Sequence, residues 1–221
     1  MTDSSDDVAD LRRRLIEAAV PHAGFDGWSE TTLRRATDDA GLEAIDAYRA
    51  FPGGADDLLA GWLALADRQM VSDLLDLDLE NMRIRDKISS AVRLRLERAA
   101  PHKEAVRRAL NHMGLPHRAP RAMRALYRSV DLMWRAIGDT STDFNFYSKR
   151  TLLAGVYAST LLYWLNDRSE DHAATWAFLD RRIADVMRIE KTKAQLKGLG
   201  EKLPDPLGVA QRFRAARGAF R

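Results

Sequence analysis

Residues 28–63 read WSETTLRRATDDAGLEAIDAYRAFPGGADDLLAGWL, and their punctuation decides the fold. Ser29 is an N-cap for a short helix that stops before Gly41, because a serine hydroxyl accepts from early unpaired amides and glycine supplies the left-handed stop. Leu42 to Phe51 makes a second short helix, closed by Pro52-Gly53-Gly54, and Asp56 caps a longer one carrying Leu58, Leu59, Trp62, Leu63, Ala66, Met70 and Leu74 on one side. Upstream, Val8, Leu11, Leu15, Ala18 and Ala19 form the stripe of a first helix from about Asp6 to His22, followed by a turn at Gly24 and Gly27. Three short helices in so few residues predict a helix-turn-helix unit.

Helical spacing continues downstream, and no run alternates with the period of a strand, so the chain is read as all-α. Asn81 to Ala99 places Ile84, Ile88, Val92 and Leu96 on one stripe. His102 to Met113 follows, then a loop marked by Gly114, Pro116 and Pro120. A helix from Arg121 carries Leu126, Val130, Met133, Trp134 and Ile137 and stops at Gly138. Asp139 to Asp143 is read as a capping segment for a long apolar helix ending near Leu165; after a turn, Thr175 to Ile189 is the last helix before a basic tail. The expected organisation is a helix-turn-helix-like unit over 1–55, a larger ligand-binding and dimerisation domain over 56–190, and a basic tail over 191–221.

The 221 residues include no cysteine, which excludes disulfides and thiolate metal sites. The N-terminus MTDSSDDVADLRRR is acidic and lacks an apolar core, so it reads as neither signal nor transit peptide, and a cytoplasmic location is expected. The longest apolar stretch, 151–165, is shorter than the roughly 20 residues a membrane span needs. Net charge is only +3, but it is unevenly placed: residues 1–80 sum to −11, while 81–180 and 181–221 each sum to +7. Basic surface in the later segments suits phosphate, whether of nucleic acid or of lipid.

Residues 28–63 resemble the TetR regulator pattern of a short helix, an alanine-x3-glycine turn, a second short helix, and an aromatic before a glycine-rich junction. A DNA reader needs cations there, yet eight carboxylates between Phe25 and Asp57 face only Arg34, Arg35 and Arg49. Glu43 and Asp46 lie on the presumptive recognition helix itself. The expectation is a TetR-like helical bundle without DNA as a partner.

The segment GDTSTDFNFYSKRTLLAGVYASTLLYWLNDRSEDHAATWAFLDRRIADVM, residues 138–187, resembles the signature region of the COQ nine family, accessory proteins of coenzyme Q biosynthesis. The resemblance extends upstream through IRDKISSAVRLRLERAAPHKEAVRRAL, residues 84–110, and reaches the front end. It implies a dimeric TetR-like fold with no catalytic residues and no cofactor, and a pocket for an isoprenoid lipid or quinone precursor. It also implies service at a membrane surface to the demethoxyubiquinone hydroxylase, a di-iron enzyme of the COQ seven type. The expected location is therefore cytoplasmic and peripheral on the inner face of the cell membrane. Many relatives have tryptophan where this chain has Phe146.

Phe146, Tyr147 and Arg150 are three and four residues apart and share one side of a helix start, an aromatic pair with an arginine that suits an interface hot spot. The resemblance adds Asp131 and Met133 to this partner-binding patch. Beyond Arg150 the helix is apolar nearly all round, and Leu152, Leu153, Val156, Tyr157, Leu161 and Trp164, with Trp134, Trp176 and Phe178, supply the wall a lipid pocket requires.

No histidine pairing suits zinc, and no phosphate loop or nucleophile elbow occurs, so neither a metal site nor catalysis is expected. In the tail, Asp205 and Pro206 start a helix whose Val209, Phe213 and Phe220 share one face, flanked by Arg212, Arg214 and Arg217. That pattern suits a basic amphipathic membrane helix, the alternative being a terminal helix docked on the protein's own core or frayed, since Gly208 and Gly218 lower helix propensity. The competing function is a TetR-type ligand-responsive transcriptional regulator, which the acidic recognition helix disfavours.

Overall fold

A computed structural model of the chain describes the backbone of residues 3–140 and 144–200, with side chains over 7–140 and 146–188. The chain divides into two compact units, Met1–Asp180 and Arg181–Arg221. Among the described residues the structure is helical throughout: α1 Asp3–Asp26, α2 Glu30–Asp39, α3 Ala44–Ala50, α4 Ala55–Leu75, α5 Ile84–Glu97, α6 Lys103–Met113, α7 Ala119–Ala136, α8 Phe144–Asn166 and α9 Ala173–Gly200. The all-α expectation holds.

The front end keeps the predicted order of short helices, but α3 starts at Ala44 rather than Leu42. α4 starts at Ala55 with Gly54 at its N-cap and no side-chain cap, so Asp56 lies in the first turn of α4 instead of capping it. Ser29 Oγ accepts from Thr32 N at 3.3 Å, Gly41 takes a φ of 63°, and α3 starts on a capping box between Glu43 and Asp46. The two acids that would repel DNA phosphate thus have a folding role, satisfying amides at the start of α3. Gly54 has a φ of 61°, and a Cβ there would lie 2.3 Å from Glu30 Oε1, which already accepts from Ala55 N at 2.8 Å. Only glycine joins α3 to α4 in that geometry.

α1 packs against α2, α3, α4 and α6. Leu15, Leu58 and Phe51 are fully buried, and Trp28 stacks on Trp62 at 4.7 Å between centroids while its indole N–H donates to the Ala105 carbonyl at 3.0 Å.

Some helix ends differ from expectation for local reasons. α1 continues through Pro21 to Asp26, and the stop comes at Gly27, whose φ is 70°. Pro120 lies in the first turn of α7, where a missing N–H costs nothing, so the helix begins at Ala119 rather than Arg121. α9 runs on to Gly200. Residues 191–197, KTKAQLK, are good helix formers and contain no breaker. The tail residues Val209, Arg212, Phe213, Arg214, Arg217 and Phe220 lie outside the described residues.

Asp167 holds the corner between α8 and α9. It accepts from Ser169 N and Oγ at 2.9 and 2.7 Å, and from Thr175 N and Oγ1 at 2.9 and 2.5 Å. Desolvation works to raise its carboxyl, but these donors outweigh it and hold the group well below the ordinary carboxylate range. The lowered pKa makes this a contribution to stability that is complete above the ordinary carboxylate pKa and is lost as pH falls towards the folded value. Asp167→Ala should cost about 1 kcal/mol at neutral pH, the scale of a lost cap. Urea midpoints measured from pH 6 down to pH 3 should converge between the variant and the parent; a constant gap would assign the effect to packing.

Candidate functional site

A cavity of about 390 Å³ lies between α4, α5, α6, α7 and α8. Its apolar wall comes from Ala119, Ala122 and Leu126 of α7, Leu110 and Met113 of α6, and Ala158 and Leu161 of α8, with Leu63 of α4. Spacings of three and four on α7 align small side chains on one face, which leaves the room. Met123 and Leu162, also in the wall, are both more than half exposed and mark its mouth.

Arg95, Ser129 and Tyr157 form the polar part of the lining. Beneath them Asp67, whose side chain is 1% exposed, accepts from Arg95 Nε at 3.1 Å, Ser129 Oγ at 2.8 Å and Arg128 Nε at 3.1 Å. Burial pushes the Tyr157 hydroxyl pKa up; Arg95 opposes this and Asp67 reinforces it, so Tyr157 stays a neutral donor. Desolvation works to lower the Arg95 pKa, but the Asp67 carboxylate, by its charge and its hydrogen bond, works against this, and the guanidinium stays charged. Among the described residues neither the Tyr157 hydroxyl nor the Arg95 Nη nitrogens make a hydrogen bond within the chain. The cavity therefore presents donors to an oxygen-bearing group and hydrocarbon surface to the rest of a ligand.

The segment expected to meet a partner is built differently from the exposed aromatic and arginine patch read from the sequence. Arg150 is buried, with Nε 2.7 Å from Asp131 Oδ1 and Nη1 3.1 Å from Asp139 Oδ2, and its guanidinium lies 3.5 Å from the centroid of the Phe146 ring. Lys149 Nζ also reaches Asp139, at 2.7 Å, so Asp139 holds two cations. Met133 is 0% exposed. The expected surface position of Arg150 and Met133 is thereby corrected: opposite charges and an apolar stripe draw both inward against α7 and α8. Tyr147 is 65% exposed, its ring edge-on to half-buried Phe146 at 5.1 Å. Asp131 is half-buried between Arg135 and Arg150.

Of the residues expected to wall a pocket, Tyr157 and Leu161 line the cavity. Trp134, Leu153, Val156 and Trp164 are instead buried in packing, and Leu152 is half-buried outside the lining. Trp176 edges a separate cleft under Arg93, and Phe178 stacks on Tyr163 at 4.6 Å. A helix apolar all round shows that it is enclosed, but not which side meets a void. Arg95, Ser129 and the α7 wall went unread. One signal was available: Arg95 interrupts the buried stripe of Ile88, Val92 and Leu96, and a charge at a core position usually has a task.

Among known proteins, the COQ9 family pattern matches residues 119–190, from the start of α7 into α9. The ubiquinone biosynthesis protein COQ9, mitochondrial, of Bos taurus is 32% identical over 200 residues, covering 87% of this chain and 62% of the relative. The protein of the same name from Homo sapiens is 32% identical, with 87% and 63% covered. Ubiquinone biosynthesis protein COQ9-B, mitochondrial, of Xenopus laevis is 30% identical, covering 86% of this chain and 67% of the relative. The chain thus spans somewhat under two thirds of the first two relatives' length. The crystal structure of a TetR transcriptional regulator from Nitrosomonas europaea ATCC 19718 superposes with a TM-score of 0.64 at 19% identity, covering 79% of this chain and 97% of that one, which establishes the TetR-like fold. The relatives are named as mitochondrial proteins, and this overturns the expected cytoplasmic location on the inner face of the cell membrane. The composition of an N-terminus does not by itself set an address.

Proposed function

The chain belongs to the COQ9 family, and from that membership we propose a lipid-binding accessory protein of ubiquinone biosynthesis that presents isoprenoid quinone precursors to the demethoxyubiquinone hydroxylase. The observation that carries the reading is the cavity of about 390 Å³, apolar along α7 and α8 and ending on the donors Arg95 and Tyr157. A quinone or phenol oxygen accepts from such donors, and an isoprenoid tail needs the hydrocarbon wall. The volume suits a drug-sized body, so a long tail leaves through the mouth beside Met123 and Leu162.

The test is the lipid carried through gentle purification, identified by mass spectrometry, from the parent and from Ala122→Trp. The indole fills the cavity from the α7 wall, and bound isoprenoid lipid should fall about tenfold, a loss of roughly 1.4 kcal/mol in binding. Helical circular dichroism checks that the variant is folded. An unchanged isoprenoid load in a folded variant would remove the cavity from the mechanism.

Tyr147, exposed and backed by Phe146, is the side chain best placed to meet the hydroxylase, and Arg150 joins Asp131 to the Phe146 ring behind it. A second copy of the chain would meet the outer side of α8, where Gly155 leaves open space beyond its Cα. Transcriptional regulation is the weaker reading. Arg35 and Arg49, two of the three cations near the recognition helix, are already paired with Asp26, and with Asp7 and Asp46.

A further inference from the structure

The proposed lipid cavity has a neighbouring cavity along α7. This second cavity, about 350 Å³, opens between the starts of α4 and α7 and the end of α6, and the two share Leu63, Met113 and Ala125. Its walls carry Arg118, Arg121, Arg124 and Arg128 against Asp56 and Asp57. On α7, positions 121, 124 and 128 fall on one stripe, directly beside the apolar stripe of Ala122 and Leu126.

The two carboxylates do not balance the four guanidiniums. Asp56 is shared among His112 Nε2 at 2.6 Å, Arg118 Nη2 at 3.6 Å and the Arg121 guanidinium. Asp57 is engaged by the Gly53 amide at 2.7 Å, and Arg128 turns its Nε to Asp67 at 3.1 Å. Arg124 is exposed and makes no ion pair among the described residues. The amino end of α7 adds to the positive potential, with Arg118 at the N-cap, no side-chain cap and no acid in the first turn. Guanidiniums crowded this way repel one another unless an anion joins them, and their planar N–H groups match phosphate oxygens in pairs.

We propose that this cleft binds the phosphate or diphosphate group of an amphiphile whose hydrocarbon chain lies in the adjoining cavity. The molecule would cross at Ala125, the smallest side chain on the shared rim, with α7 separating head from tail. The inference rests on the lipid reading of the cavity and adds the chemistry of the headgroup.

Calorimetric titration of the full chain with farnesyl diphosphate, farnesol and inorganic diphosphate tests it. Farnesyl diphosphate should bind about tenfold or more tightly than either fragment, the scale of one or two charge-assisted hydrogen bonds. Arg121→Ala with Arg124→Ala should remove that advantage and leave farnesol binding within about twofold, and Arg124→Gln alone, an exposed change that the fold tolerates, should remove part of it. Equal affinity for the two farnesyl compounds, or an advantage unaffected by the variants, would overturn the headgroup site while leaving the lipid cavity standing. Inorganic diphosphate binding as tightly as farnesyl diphosphate would reduce the cleft to a free-anion site and also overturn the proposal. Farnesol failing to bind at all would instead count against the lipid reading itself.

Discussion

Asp67→Ala should destabilise the protein by about 3–5 kcal/mol, the largest effect expected of any single substitution outside the apolar core. The carboxylate sits where α4 meets α5 and α7 and takes Arg95, Arg128 and the Ser129 hydroxyl at once. Arg128 is 40% exposed and can turn to water, but Arg95 is 5% exposed and cannot, so its charge would stay buried without a partner. The denaturant midpoint measures this. Asp67→Leu combined with Arg95→Met should recover most of the loss, since replacing a buried pair by apolar residues of similar volume is often neutral. If the double variant were as unstable as Asp67→Ala, the cost would lie in packing rather than in the unpaired charge. The double variant also removes a donor from the cavity, so it should fold and yet hold less lipid, separating stability from binding.

The second large effect is expected at Arg150, and it separates two roles that sequence spacing merged. Arg150→Ala leaves Asp131 and the nearly buried Asp139 facing each other across an empty site, and should cost about 3 kcal/mol of stability, at the lower end for a broken buried pair because Lys149 and Arg135 remain. Tyr147→Ala removes an exposed ring and should change stability by less than about 0.5 kcal/mol. If Tyr147 is the contact to the hydroxylase, that same variant should lose about 2 kcal/mol in binding. Thermal unfolding and co-purification with the hydroxylase, run on both variants, check the division. A Tyr147→Ala protein of unchanged stability that retained the hydroxylase fully would clear this patch of a partner role, and an Arg150→Ala protein of unchanged stability would contradict the buried bridge between α7 and α8.

The helix-turn-helix front end was legible because it is written in local chemistry: Ser29, Gly41 and the Pro52-Gly53-Gly54 junction act within a few residues of themselves. The order of residues 138–187 made the family legible by resemblance. The cavity was less so. Tyr157 and Leu161 were found among its lining, but Trp134, Trp164 and Leu153, equally apolar and on or beside the same helix, pack into the core. Arg150 shows the same limit in charge, since its spacing from Phe146 and Tyr147 is identical whether the side chain faces water or two carboxylates.

By itself, then, the sequence determined the all-α class, the helix-turn-helix start, its poverty in cations, and the family, since caps, periods and residue order depend on neighbours along the chain. Tertiary structure alone decided which side of α7 and α8 encloses space, that Asp67 draws Arg95 and Arg128 under that space, and that four arginines converge on one cleft. Voids and buried charge networks are made by residues from helices far apart in sequence. Their energies depend on distance and on exclusion of water, and no pattern along one strand of sequence records either.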